Sequence, residues 1–96
     1  DFNGYQALGK TNDIINLGNL KTKLTSFGLN VKSVDGHNLD HLEKSIINLI
    51  KNKTSTSVLV AKTIKGKGIP FMENNNDWHY RRLNQSTYNK AMSYLK

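Results

Sequence analysis

Two apolar periods alternate along the chain. Ile14, Leu17, Leu20, Leu24 and Phe27 recur at spacings of three and four, which predicts a helix over residues 14–28 with one apolar face. Gly28 follows Phe27 and suits a left-handed C-terminal cap. Val31-Lys32-Ser33-Val34 alternates with period two and predicts a short strand, and Asp35-Gly36 turns the chain. The helical period then returns at Leu39, Leu42, Ile46, Leu49 and Ile50. Asn38 or Asp40 caps this second helix, Asp40 and Glu43 having capping-box spacing, and Lys51-Asn52-Lys53 closes it with the cations its dipole favours. Ser57 to Thr63 is a β-branched run of buried-strand length. A last helix spans Ser86 to Leu95, with Tyr88, Ala91, Met92 and Leu95 on one side.

Residues 1–13 hold Gly, Asn and Asp and few apolar positions, and read as a strand end followed by a loop. Residues 64–84 form a long Gly- and Asn-rich loop with the only Pro, and loops of that length inside compact domains are functional or disordered. Strands separated by helices imply parallel pairing through right-handed crossovers. The expected class is therefore α/β, a parallel sheet flanked by helices, in one compact unit over residues 1–96. Ligands of open α/β sheets sit beyond the carboxyl ends of the strands. Asp1–Gln6, Asp35–Asn38 and Ile64–Tyr80 fall there.

Hydrophobic residues make up 36% of the 96, which is low for a self-sufficient domain. A chain this short buries only roughly 60–65% of its unfolded surface, so a small core, or a piece that leans on a neighbour, is expected. There is no cysteine, which excludes disulfides and thiolate metal sites and fits a cytoplasmic protein. No apolar run approaches the about 18 residues of a membrane span, so no membrane role is expected. The first residues lack the basic flank and apolar stretch of a signal peptide, and without an initiator Met the chain reads as an excerpt from something longer. The net charge of +7 raises nucleic acid as a partner. The lysines are scattered over different segments, however, and Arg81-Arg82 is the only arginine pair. That pattern argues for a solvated surface and an anionic small molecule, with no nucleic acid.

Three segments offer chemistry. Asp1-Phe2-Asn3-Gly4-Tyr5-Gln6 carries hard oxygen donors of the kind magnesium and calcium take, and Asn-Gly is equally a turn dipeptide. Lys65-Gly66-Lys67-Gly68 directly follows the last strand. Its glycines allow a backbone to approach a ligand and its lysines supply charge for a phosphate, or it is a flexible basic loop. It lacks the P-loop frame. In Trp78-His79-Tyr80 the histidine has the setting of a proton donor, or Trp78 anchors the loop. His37 and His41 are four apart, but no third ligand stands beside them and His37 precedes the helix, so a zinc site is not expected. No Gly-x-Ser-x-Gly elbow supports a serine triad.

In this order, DFNGYQALGKT, KTKLTSFGLNVKSVDGHN and AKTIKGKGIPFMENNNDWHYRRL resemble transketolase, and most of all the split type with separate N- and C-terminal chains. The resemblance covers essentially the whole chain. It implies the C-terminal part of the N-terminal, diphosphate-binding domain, a partial thiamine-diphosphate-binding fold. In that family a divalent metal (Mg2+, or Ca2+ or Mn2+) holds the diphosphate of thiamine diphosphate. Carried over, Asn3 is the side-chain metal ligand and Tyr5 supplies a main-chain carbonyl. The aspartate of the Gly-Asp-Gly motif would lie upstream of residue 1. Lys65 matches the lysine near the diphosphate, with Gly66 letting the backbone pass close, and His79 matches the catalytic histidine of the substrate channel. Asp35-Gly36-His37 is a further signature, read as a turn and helix entry.

The implied reaction moves a two-carbon ketol unit between sugar phosphates of pentose phosphate metabolism. The pyrimidine-binding domain, or a C-terminal transketolase subunit, would come from a partner in a dimer or hetero-oligomer, and the chain alone would be inactive. Two other readings remain: another thiamine-diphosphate enzyme, such as a deoxyxylulose-phosphate synthase or a 2-oxo-acid dehydrogenase component, and a noncatalytic basic binding module. The closeness of VDGHN and WHYRRL to the split pattern argues against the first.

Overall fold

The computed structural model describes residues 1–95. In chain order the elements are β1 (Tyr5–Gln6), β2 (Gly9–Lys10), α1 (Thr11–Ile14), α2 (Leu20–Ser26), β3 (Asn30–Asp35), α3 (Leu39–Lys51), β4 (Ser57–Lys62), a 3-10 turn (Asn76–His79) and α4 (Gln85–Tyr94). They form two compact units. The first holds residues 1–2 and 17–63, and the second holds residues 3–16 and 64–95.

In the first unit β3 and β4 pair in parallel, from Asn30 opposite Ser57 to Asp35 opposite Lys62. The fold is α/β, with a parallel sheet flanked by helices, as the alternating periods predict. α2 and α3 both pack on β3, and α3 also packs on β4. Phe2 adds an isolated parallel bridge to Lys62, its amide donating to the Ala61 carbonyl at 2.7 Å, so residue 2 is the strand end expected there.

The expected helix over 14–28 is corrected. Only Leu20–Ser26 is helical in that stretch, apart from Ile14 at the end of α1. Ile15 is extended and Gly18 is left-handed, at φ 57°. The Asn19 side chain then accepts from the Thr22 amide and starts α2 afresh. Ile14 and Leu17 therefore share the spacing of the later leucines without sharing their helix. The other end is as expected: Gly28, at φ 79°, donates to the Thr25 carbonyl, and Leu29 donates to that of Leu24. This is the Schellman pair of bonds.

α3 covers the predicted residues and is capped by Asn38, whose side chain accepts from the His41 amide. Asp40 is not the cap; it lies inside the first turn. Ser45 is buried, and Leu42 and Leu49 are half-buried, yet Leu39, Ile46 and Ile50 stay exposed. Among the described residues the buried apolar side chains are Val60 and Ala91, so the core is as small as the composition implies.

The second unit begins with a hairpin, β1 pairing antiparallel with β2, closed by the Thr11 amide on the Gly4 carbonyl at 2.8 Å. Residues 64–75 follow as successive turns. α4 starts one residue earlier than expected, with a capping box between Asn84 and Thr87. Ala91 is its one buried residue, while Tyr88, Met92 and Leu95 are exposed. No helix among the described residues is long and apolar enough to cross a membrane.

Candidate functional site

Asn3, Tyr5, Lys65, Gly66 and His79 all fall in the second unit, although about sixty positions separate the first two from the rest of the set. The Asp35-Gly36-His37 turn lies in the first unit.

At Asn3 the chain makes an Asx turn: the Tyr5 amide donates to Asn3 Oδ1 at 2.8 Å, and Gly4 between them takes φ 78°. The Asn-Gly turn is thus present, and it fixes the Asn3 amide oxygen over the backbone of residue 5. An amide oxygen carries two lone pairs, so a turn bond and a metal bond are compatible. Asn3 Oδ1 and the Tyr5 carbonyl are hard, neutral oxygens of the type magnesium, calcium and manganese accept. Among the described residues no three His, Cys, Asp or Glu side chains converge. The chemistry of these two oxygens is compatible with a divalent hard cation.

The Lys65-to-Asn75 segment is folded tightly on itself. The Asn74 amide donates to the Lys65 carbonyl at 3.0 Å, and Asn74 takes the left-handed φ of 52°. Gly66 has φ 73°, and a Cβ there would stand 2.5 Å from the Met72 carbonyl oxygen. Its glycine is required by the chain's own backbone, whatever it does for a ligand. The two lysines differ. Lys67 Nζ is 3.9 Å from Glu73 Oε1, and that same carboxylate accepts from the Gly68 amide at 3.1 Å. Lys65 is half-buried and makes no ion pair among the described residues.

Trp78 anchors the end of this segment. Its indole Nε1 donates to the Phe71 carbonyl at 3.1 Å, the Phe71 and Trp78 ring centroids are 5.3 Å apart, and Arg81 lies over the indole at 5.5 Å. His79, next along, is exposed and stands edge-on to Tyr80, with ring centroids 4.8 Å apart. Of the two sequence readings of this segment, the anchoring role of Trp78 is what its hydrogen bond and ring contacts show, and His79 beside it is exposed. Of His37 and His41, the first precedes α3 and takes part in an Asx turn, its amide donating to Asp35 Oδ1 at 2.9 Å.

One participant escapes sequence reading. Asn76 donates through Nδ2 to the Ala7 carbonyl at 3.1 Å, joining the 3-10 turn to the hairpin. In the sequence it is one of three consecutive asparagines in a polar loop, and nothing distinguishes it from Asn74 and Asn75.

The chain is similar to transketolase subunits and transketolase-like proteins, over 79% to 100% of its length. The 6-deoxy-6-sulfo-D-fructose transketolase subunit SqwG of Clostridium sp. (strain MSTE9) is 32% identical over 96 residues, which is 100% of this chain and 35% of that protein. An apulose-4-phosphate transketolase subunit of Phocaeicola vulgatus is 25% identical over 92 residues, 96% of this chain and 33% of its own length. Transketolase-like protein 2 of Bos taurus is 29% identical over 76 residues, 79% of this chain and 12% of that protein. The chain thus spans about a third of the length of the first two relatives. No family model matches it.

Proposed function

We propose that residues 1–96 are the C-terminal part of the diphosphate-binding domain of a thiamine-diphosphate-dependent transketolase, acting in the cytoplasm with a partner that carries the pyrimidine-binding domain. The observation that carries this reading is the gathering of Asn3, Tyr5, Lys65, Gly66 and His79 into one compact unit. The similarity of nearly the whole chain to about a third of two proteins named as transketolase subunits supports it, and the word subunit supports a hetero-oligomer.

In this reading Asn3 Oδ1 and the Tyr5 carbonyl would be ligands of the divalent metal that serves the diphosphate. Lys65 meets the remaining negative charge as a point cation from a half-buried position. Gly66 keeps the backbone beside it free of a side chain. When bound, the cofactor supplies the nucleophilic carbon and the electron sink for carbon–carbon cleavage. His79 would exchange a proton, through a ring nitrogen, with an oxygen of the sugar phosphate, and its ring stands edge-on to Tyr80. The sugar phosphates are those of a two-carbon ketol transfer.

The test uses the intact protein with its partner. Calorimetry should show magnesium-dependent binding of thiamine diphosphate, and a ketose phosphate with an aldose phosphate acceptor should give ketol transfer. Absence of cofactor binding by the assembled protein rejects the reading. Cofactor binding with decarboxylation of a 2-oxo acid, and no ketol transfer, would move the protein to another thiamine-diphosphate enzyme.

A further inference from the structure

The Asn76 side chain is an uneconomical residue where it sits. Its Nδ2 donates to the Ala7 carbonyl at 3.1 Å, and its Oδ1 is buried without a hydrogen-bond partner. The carbonyl it faces fixes which way round the amide lies, since the oxygen in that place would repel it. A buried amide oxygen with no donor is a cost, and it is set against the bond the nitrogen makes to a carbonyl that an apolar side chain would leave without that donor. The asparagine is explained by what its nitrogen does, and what it does is join two segments sixty-nine positions apart.

Those segments are the ones that carry the site. Ala7 lies in the turn of the hairpin β1–β2, whose first strand begins at Tyr5, directly after the Asn3 Asx turn. Asn76 opens the 3-10 turn that ends at His79. The 3-10 turn also packs against β1. From this we infer that Asn76 is a positioning residue: through the Ala7 carbonyl it holds the Asn3–Tyr5 donors in register with the turn that presents His79. This rests on the functional reading above for the roles of Asn3, Tyr5 and His79. The clamp itself rests on the hydrogen bond and the orphaned oxygen alone.

The experiment compares the intact protein with Asn76→Leu and with Asn76→Asp. The first removes donor and orphan together. The second keeps the shape and sets an oxygen against the Ala7 carbonyl, and it stands in if the leucine variant does not fold. Hydrogen exchange should quicken at hairpin residues 5–10 in both, while the β3–β4 amides keep their protection. The magnesium concentration for half-maximal cofactor binding should rise at least tenfold, about the loss typical of a residue that orients a metal ligand, and excess magnesium should restore binding. Unchanged exchange at residues 5–10 overturns the clamp. Faster exchange with unchanged magnesium dependence overturns the positioning role and leaves a structural contact. If the wild-type protein binds no cofactor, the functional reading and the positioning role fail together, and the exchange data still decide the clamp.

Discussion

A Cβ on Gly66 would lie 2.5 Å from the Met72 carbonyl oxygen and 2.7 Å from the Met72 carbonyl carbon. Real Cβ atoms do not come so close to backbone, and backbone cannot swing aside as a side-chain tip can. The glycine and the tight turn of residues 64–75 therefore require each other.

Gly66→Ala should destabilise the protein by more than Gly28→Ala. Both glycines are left-handed, at φ 73° and 79°, so both substitutions incur the roughly 1–2 kcal/mol of a residue with a Cβ in that conformation. Only Gly66 adds the collision, since nothing stands within 4 Å of a Cβ at Gly28. Urea unfolding of the two variants measures the difference. Equal losses would mean the 64–75 turn relaxes freely.

Asn3→Ala and Lys65→Ala should weaken cofactor binding, whereas His79→Ala should leave it intact and slow turnover by roughly 100-fold if the imidazole moves a proton. Excess magnesium and cofactor should partly rescue Asn3→Ala. Raising the ionic strength should aggravate Lys65→Ala, because its contribution is a charge pair. Calorimetry beside initial rates separates the two groups. Loss of cofactor binding in His79→Ala, with Asn3→Ala unaffected, would reverse the assignment.

Lys67→Ala should change cofactor affinity far less than Lys65→Ala. The Lys67 ammonium is already 3.9 Å from Glu73, and such a half-exposed pair contributes at most about 1 kcal/mol to stability. Parallel titrations of the two variants check this. A larger loss in Lys67→Ala would show that the wrong lysine of the pair has been given the diphosphate.

The 96-residue chain alone should give no ketol transfer, even with magnesium and cofactor. Its own donors are two neutral oxygens, and no three acidic or histidine side chains converge among the described residues. Turnover by the purified chain without a partner would defeat the divided-site argument.

Much of this protein is local and was therefore written in residue order. α3 and the two parallel strands follow from periods of 3.6 and 2 that each segment carries in itself, and the Gly28 cap follows from one residue that tolerates a positive φ. Asn3, Lys65 and His79 are candidates through the resemblance their segments carry together, since an Asn-Gly turn, a basic glycine loop and an aromatic-flanked histidine are each weak signals alone. Spacing misled between Ile14 and Leu20, where a left-handed Gly18 separates residues that share a period but not a helix.

Tertiary structure decided what depends on distant partners. That α4 buries Ala91 and leaves Tyr88, Met92 and Leu95 exposed depends on which neighbours are present to cover them. That Lys67 meets Glu73 depends on where the chain returns at residue 73. Asn76 differs from Asn74 and Asn75 only because the fold brings the Ala7 carbonyl to it. A hydrogen bond across sixty-nine positions leaves no period, spacing or composition in the sequence, since its geometry exists only once both segments are folded.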